Sequence, residues 1–201
     1  MKPRLHIIIA STRPGRVGPA VAQWFRDYAG RHGGFDAHLV DLADFDLPIY
    51  NEPRHPVMQQ YELPHTKRWA RSVEQADAYV FVTPEYNFSP PPSLVNALNY
   101  VYREWNYKPC GFVSYGGVSG GIRAVQIAKQ LVTTLRMMPM VEGVMVPMVG
   151  KSLDDAGRFV SNDLVEHSAQ QMLDEMVKWS GALATLRAPV AAPAPAAGAG
   201  S

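Results

Sequence analysis

The stretch Leu5-His6-Ile7-Ile8-Ile9-Ala10-Ser11-Thr12-Arg13-Pro14-Gly15-Arg16-Val17-Gly18 decides the fold of this chain. Its apolar first half predicts a buried strand, and apolar residues at helical spacing follow, from Val17 to about Arg31. A strand that leads through a short polar loop into a helix is the first part of a βαβ unit. The loop is therefore expected at the carboxyl end of a strand and at the N-terminus of a helix.

This first loop carries groups that bind phosphate. The first N–H groups of a helix have no partner within it, and the helix dipole makes that end positive. Ser11 and Thr12 add hydroxyls, while Arg13 and Arg16 add charged, fork-shaped donors. Neither the Walker pattern nor the dinucleotide pattern G-x-G-x-x-G is present, so a terminal phosphate monoester is the favoured ligand. A surface turn with solvated arginines is the alternative.

Length, net charge and cysteine content exclude several classes of function. The 201 residues fit one domain, and a net charge of +1 favours neither nucleic acid nor an acidic membrane as partner. No stretch is apolar enough to span a bilayer and no signal-like segment begins the chain, so a cytoplasmic protein is expected. Cys110 is the single cysteine, and no cluster has zinc-ligand spacing, so we expect an inert buried thiol and no metal.

Strand-like and helix-like segments alternate along the chain. Strands are predicted near 5–10, 35–42, 78–83, 108–115 and 140–149, and helices near 17–31, 64–76, 93–105, 122–136 and 162–186, the last with Asn162 as N-cap. This order predicts an α/β fold: a doubly wound, five-stranded parallel sheet of order 2-1-3-4-5 with helices on both faces. Residues 1–187 form the predicted domain, and 188–201, almost entirely Ala, Pro, Gly and Val, form a predicted disordered tail.

Two further loops follow predicted strands of this sheet. Thr83-Pro84-Glu85-Tyr86-Asn87 follows the third strand, and a segment with four glycines, 116–121, follows the fourth. In the predicted strand order these loops and the first loop surround the switch point, where ligands bind in such sheets. A stiff turn is the alternative interpretation of 84–87.

Other residues leave more than one interpretation open. Asp41 ends the second strand like a ribose-binding acid, but ordinary cap chemistry is favoured because the glycine pattern is missing. The proline-rich connection 43–62 either covers a site or packs against a partner subunit. The six histidines are scattered, so no catalytic acid or base is predicted.

Three motifs together resemble the NADPH-dependent FMN reductase family. They are Ala10-Ser11-Thr12-Arg13-Pro14-Gly15-Arg16, Thr83-Pro84-Glu85-Tyr86-Asn87 and Ser114-Tyr115-Gly116-Gly117. That family has the flavodoxin-like fold and includes bacterial quinone, chromate and azo-dye reductases. The resemblance extends from about Pro3 to Arg187.

The resemblance implies roles for individual residues. The FMN phosphate would be held by Ser11, Arg13, Arg16, Val17 and Gly18. The isoalloxazine ring would be lined by Pro84, Glu85 (through its backbone), Tyr86 and Asn87. The pyrimidine side of the ring would face Ser114, Gly116 and Gly117. The backbone N–H groups of the two glycines would stabilise the negative charge that gathers there on reduction.

The resemblance also implies an activity and an assembly. The cofactors would be FMN and NADPH or NADH, with ping-pong transfer to a small-molecule acceptor such as a quinone, free flavin, azo compound or chromate. The protein would form a homodimer or homotetramer through segment 43–62 and the helix near 93–105. Ala10 and Phe88 depart from the family pattern, which more often has glycine at the first position and a small residue or histidine at the second.

Two other functions remain as alternatives. A flavodoxin-like electron carrier or flavin-binding regulatory protein would keep the cofactor without NAD(P)H turnover, but carriers of that kind are usually strongly acidic. An interaction module without flavin would keep only the fold, and the intact loops weigh against it.

Overall fold

A parallel six-stranded sheet forms the centre of the structure, a computed structural model that describes residues 2–187. The strands are β1 (Arg4–Ile9), β2 (Asp36–Asp41), β3 (Ala78–Pro84), β4 (Pro109–Tyr115), β5 (Met138–Pro139) and β6 (Val144–Val146). Their order is β2-β1-β3-β4, and both β5 and β6 pair with β4. The predicted doubly wound, flavodoxin-like architecture is confirmed, and the tail 188–201 lies outside the described residues.

Helices cover both faces of the sheet because side chains alternate along each strand. The helices are α1 (Gly18–His32), α2 (Pro64–Glu74), α3 (Pro92–Tyr100), α4 (Ile122–Thr134) and α5 (Asp163–Arg187). On β1, Leu5, Ile7 and Ile9 pack with α1 and α5, whereas Ile8 packs with α2, α3 and α4. Two separate cores result, one on each face of the sheet.

The fifth predicted strand is interrupted. The segment between β5 and β6 leaves the sheet, and Val141 within it is 86% exposed. Pro139 has no N–H to donate and Gly143 weakens extended structure, so both residues favour a break at this edge of the sheet. The predicted strand 140–149 is therefore replaced by two short strands that pair with different parts of β4.

The third helix is shorter than the predicted 93–105. It ends at Tyr100, and the chain is extended at Val101 before a short 3₁₀ turn, Arg103–Trp105. This break places the indole of Trp105 in the core, where it packs between Trp69 and Tyr79. Burial of a large aromatic side chain outweighs the continuation of a helix.

The strand registers bring the carboxyl ends of β1, β3 and β4 to one edge. Ile9 pairs with Val82, and Thr83 pairs with Ser114. The loops that follow these strands therefore begin side by side, as the predicted strand order requires. Within residues 2–187, no helix is long and apolar enough to cross a membrane.

Candidate functional site

Three loops meet at the carboxyl edge of the sheet. The hydroxyls of Ser11 and Tyr86 share a hydrogen bond of 2.7 Å, which joins the loop after β1 to the loop after β3. Ser114 is buried at the end of β4, and Gly117, in the loop that follows it, is exposed. All the predicted site residues lie in or beside these three loops: Ser11, Arg13, Arg16, Val17, Gly18, Pro84, Glu85, Tyr86, Asn87, Ser114, Gly116 and Gly117.

The N-terminus of α1 is open toward this edge. Its N-cap, Val17, makes no side-chain cap hydrogen bond, and its first turn has no acidic residue. Among residues 2–187, no acceptor is found for the backbone N–H groups of Thr12, Gly15 and Val17. The side chain of Arg13 is exposed beside them. Uncapped N–H groups with a nearby cation make an anion site.

Arg16 is already engaged in an ion pair. Its Nη2 lies 2.5 Å from Oδ2 of Asp41, and its Nη1 donates to the carbonyl oxygen of Ser11 at 2.6 Å. Both charged side chains are only 18% exposed. Asp41 also accepts a hydrogen bond from the N–H of Ala43, so the favoured cap role of Asp41 is confirmed. Arg16 therefore holds the first loop against the end of β2.

The loop after β4 has a different set of free donors from the expected one. The N–H of Gly116 donates to the carbonyl of Val146 at 3.3 Å, so it is not free to stabilise charge, and the expectation for this group is corrected. The carbonyl oxygens of Gly116 and Gly117 accept hydrogen bonds from Val149 and Met148. Within the described chain, the N–H groups of residues 117–119 have no acceptor. Negative charge on a ligand bound at this loop would therefore be stabilised by these three N–H groups.

Glu85 does not present its carboxylate to the site. This carboxylate is 8% exposed, lies 2.6 Å from Nη2 of Arg123 and accepts from the hydroxyl of Ser119 at 3.1 Å. Its second oxygen accepts the N–H groups of Arg123 and Ala124, which caps α4. Burial raises the pKa of Glu85, but these hydrogen bonds outweigh that effect and the pKa lies below its usual value. The carboxylate is thus bonded within the protein, and only the backbone of Glu85 is left to face a ligand, as expected from the resemblance.

Sequence reasoning missed the contribution of Arg123. A basic residue in the first turn of a helix opposes the helix dipole, so it indicates that an acid lies nearby. Glu85 is that acid, 38 positions earlier in the chain. Arg123 and Glu85 together connect the loops after β3 and β4.

The open groups fit FMN. The uncapped end of α1, Arg13 and the hydroxyl of Thr12 suit a phosphate monoester, which accepts several hydrogen bonds. A Cβ added at Gly117 would meet no atom within 4 Å, so space is open beside the free N–H groups of residues 117–119. The capped end of α4 offers no second anion site. These donors allow one arrangement of FMN. Its phosphate lies at the N-terminus of α1, and its isoalloxazine ring lies between the loops that follow β3 and β4.

A cavity of about 880 Å³ lies next to this site. Its walls come from the segment after β2 and from α3, and Thr12 and Ser89 connect it to the first and second loops. Ile49, at its wall, is 90% exposed. This is the surface where the sequence predicted either a cover for the site or a subunit contact.

Comparisons with known proteins agree with the geometry. The family model for NADPH-dependent FMN reductases matches residues 3–151. An NAD(P)H-dependent FMN reductase of Schizosaccharomyces pombe is 42% identical over 127 residues, which cover 62% of this chain and 64% of that protein. A quinone reductase of Pseudomonas putida is 32% identical over 149 residues, with 70% and 76% covered. The match thus spans just under two thirds of the yeast relative's length.

A solved structure shows the same fold. FerB, a flavoenzyme NAD(P)H:(acceptor) oxidoreductase from Paracoccus denitrificans, has a TM-score of 0.71 and 21% identity to this chain. The alignment covers 90% of this chain and 98% of FerB. Because the family model matches 149 of 201 residues (3 to 151 inclusive), the chain belongs to the NADPH-dependent FMN reductase family.

Proposed function

We propose that this chain is an NAD(P)H-dependent reductase that binds FMN and passes electrons to a small-molecule acceptor. The observation that carries the proposal is the uncapped N-terminus of α1 beside Arg13, at the edge where the three loops meet. The reductase relatives favour turnover with NAD(P)H over the electron-carrier alternative. The near-neutral charge of the chain agrees with them.

Each loop has a separate task in this proposal. FMN, when bound in these loops, would supply the redox chemistry of hydride uptake from NAD(P)H and two-electron reduction of the acceptor. The first loop would bind the phosphate through free N–H groups and Arg13. The second loop would pack its backbone at 84–87 along the ring. The N–H groups of residues 117–119 would donate to the pyrimidine edge of the ring, where negative charge gathers on reduction.

The chain's own residues then bind and orient, and no side chain acts as a catalytic acid or base. Cys110 is fully buried and burial raises the pKa of its thiol, so it does not take part. A quinone is the first acceptor to test because relatives of the chain are quinone reductases. Free flavin, azo compounds and chromate are the other candidates. A cytoplasmic location is part of the proposal because NAD(P)H is made inside cells.

Anaerobic spectroscopy tests the proposal. The purified protein should be yellow, NADPH or NADH should bleach the bound flavin, and a quinone should restore the colour. Steady-state rates should show the parallel lines of a ping-pong mechanism. A yellow protein that neither nucleotide bleaches would be a carrier, and a protein that stays colourless after FMN is added would be an interaction module.

We further propose that the cavity beside α3 lies at a contact between two copies of the chain. Ile49 lies at the wall of that cavity and is 90% exposed, and the same connection 43–62 also exposes Met58 at 54% and Val57 at 37%. An obligate interface buries on the order of 2,000 Å² and is rich in such side chains. Light scattering should give the mass of a dimer or tetramer, and Ile49→Asp should shift it toward the monomer. A monomeric wild type would refute this assembly.

A further inference from the structure

Phe88 occupies a position that suits glycine. Tyr86 and Ser89 exchange two backbone hydrogen bonds of 2.9 Å, which closes a two-residue turn with Asn87 at φ +49° and Phe88 at φ +67°. Turns with two positive φ values prefer Asn-Gly, because a side chain with a Cβ is strained there. Phe88 adds a large ring to that strain, and the ring is 61% exposed. Burial in the core therefore does not account for Phe88.

Tyr107 is a second aromatic residue with a positive φ, and its hydrogen bonds explain why it occupies that position. Tyr107 has φ +58° and also lies under an arginine, Arg136, at the amino end of β4. Its hydroxyl accepts from Arg136 at 2.7 Å, and its N–H donates to the carbonyl of Arg136 at 2.9 Å. Tyr107 thus joins the start of β4 to the segment after α4, 29 positions further along the chain, through these hydrogen bonds. Phe88 has no polar group that could do the same.

The ring of Phe88 is held in place from one side. The guanidinium of Arg123 lies 3.8 Å from the centre of the ring, and its Nε and Nη2 are bonded to Glu85 and Ser119. Because Glu85 is buried and caps α4, the arginine is fixed to the scaffold, and it fixes the ring in turn. One side of the ring is covered, and the rest remains exposed at the edge where the three loops meet.

We propose that Phe88 is a stacking platform that selects flat aromatic electron acceptors. The inference rests on the proposed reductase function and names the acceptor class for the same site. Tyr86, in the same turn, contacts Ser11 on the phosphate side, whereas Phe88 lies on the side of α4. A planar quinone that reaches the edge where the three loops meet can therefore lie against the exposed part of the ring. Aromatic rings gain from offset stacking beyond the area that they bury.

Four variants separate the ring from the backbone strain. Phe88→Ala and Phe88→Gly both remove the ring, but only glycine removes the strain. Phe88→Tyr keeps the ring. Tyr107→Ala is the matched control, because it removes a strained aromatic residue under an arginine at the opposite edge of the sheet.

The first measurement is equilibrium binding of 2-methyl-1,4-naphthoquinone to the oxidised, FMN-loaded protein, followed by the change in flavin absorbance. We expect the Kd to rise about tenfold in both Phe88→Ala and Phe88→Gly, and to stay near the wild-type value in Phe88→Tyr and Tyr107→Ala. Phe88→Gly should melt about 2–5 °C above Phe88→Ala, since only alanine keeps the strain.

The second measurement compares two acceptors in turnover. Hexacyanoferrate(III) has no flat ring, so the ratio of kcat/KM for the naphthoquinone to that for hexacyanoferrate should fall about tenfold when the ring is removed. An unchanged Kd in Phe88→Ala, or an equal rise in Tyr107→Ala, would overturn the proposal. If NADPH fails to bleach the wild-type flavin, the reductase function is lost, while the binding titration still decides the role of Phe88.

Discussion

Two arginines of the first loop have different surroundings although the sequence assigned them the same role. Arg13 is exposed beside the uncapped N–H groups of α1, whereas Arg16 is largely buried on Asp41. A guanidinium that is already paired gains less from a phosphate than a free one, because its charge is partly neutralised. Arg13 is therefore the main candidate for a charged phosphate ligand, and Arg16 for a residue that shapes the loop.

Replacement of Arg13 should affect cofactor binding alone. A charge-assisted hydrogen bond is worth about 1.5–3 kcal/mol, so Arg13→Ala should weaken FMN binding roughly 10- to 100-fold. The melting temperature of the flavin-free protein should not change, since Arg13 is exposed. Fluorescence titration of FMN and thermal melts measure the two quantities. Undiminished retention in Arg13→Ala and in the Arg13→Ala/Arg16→Ala double variant would place the phosphate elsewhere.

Replacement of Arg16 should instead affect stability. Arg16→Ala leaves the carboxylate of Asp41 without its partner at 18% exposure, which should cost about 1–2 kcal/mol, between the values for surface and buried pairs. Asp41→Asn is the matched control, because it removes the same pair and keeps an oxygen that can accept from Ala43. Urea unfolding of both variants gives the comparison, and an Arg16→Ala protein as stable as the wild type would show that the pair contributes nothing.

At the scale of elements, α1, α3 and α4 all begin at the edge that carries the site, but their first turns offer different donors. The start of α3 is Pro90-Pro91-Pro92, and prolines have no N–H to donate. Glu85 caps α4 with a buried carboxylate, while α1 has neither a side-chain cap nor an acid in its first turn. The dipole of α4 is thus already compensated by the protein, and that of α1 is left for a ligand. The contrast explains why an anionic group would bind at the first loop rather than at the third.

The start of α1 is also fixed by close packing against β4. A Cβ at Gly18 would lie 2.8 Å from Oη of Tyr115 and 3.2 Å from Cγ2 of Ile9, and both side chains are buried. Gly18→Ala should therefore push the helix outward, lower the free energy of unfolding by about 1–3 kcal/mol and weaken FMN binding. Gly30→Ala, in the same helix with no atom within 4 Å, should stabilise the protein by about 0.5–1 kcal/mol. Chemical denaturation measures both, and equal effects would contradict the packing explanation.

At the scale of the whole molecule, the sheet buries an ionisable group far from the site. His6 in β1 is 5% exposed, and its pKa is lowered to about 4, first by burial and then by the charges of His38, Arg4 and Lys108. The folded state therefore keeps His6 neutral where the unfolded state takes up a proton. The histidine acts on stability rather than on catalysis.

This burial predicts a pH dependence of folding. Between pH 6.5 and about 4 the unfolded chain binds more protons at His6 than the folded one, so stability falls as the pH falls through this window. The loss should reach on the order of 3 kcal/mol. In His6→Gln this part of the slope should disappear, whereas His167→Gln, an exposed histidine of α5, should keep it. Urea melts from pH 7 to 4 test this, and identical slopes in wild type and His6→Gln would rule it out.

Local patterns in the sequence predicted most of the fold. The buried strand β1, the helical spacing of α1 and the Asn162 cap of α5, whose Oδ1 accepts from Val165 at 3.0 Å, are all present. These features depend on residues a few positions apart, so periodicity and capping rules predict them. The early end of α3 was not predicted, because it depends on the distant side chains that bury Trp105. The break between β5 and β6 was not predicted either, although Pro139 and Gly143 were local signals for it.

The sequence by itself determined the doubly wound sheet, the three loops at one edge and the family, because each follows from local pattern or from short motifs. Only the tertiary structure decided which charges those loops keep free. The pairs Arg16–Asp41 and Glu85–Arg123 join residues 25 and 38 positions apart, and the N–H of Gly116 is taken by the neighbouring strand β6. The physical reason is that a charge or a donor is available to a ligand only if no folded neighbour satisfies it first, and neighbours in space are set by packing of the whole chain.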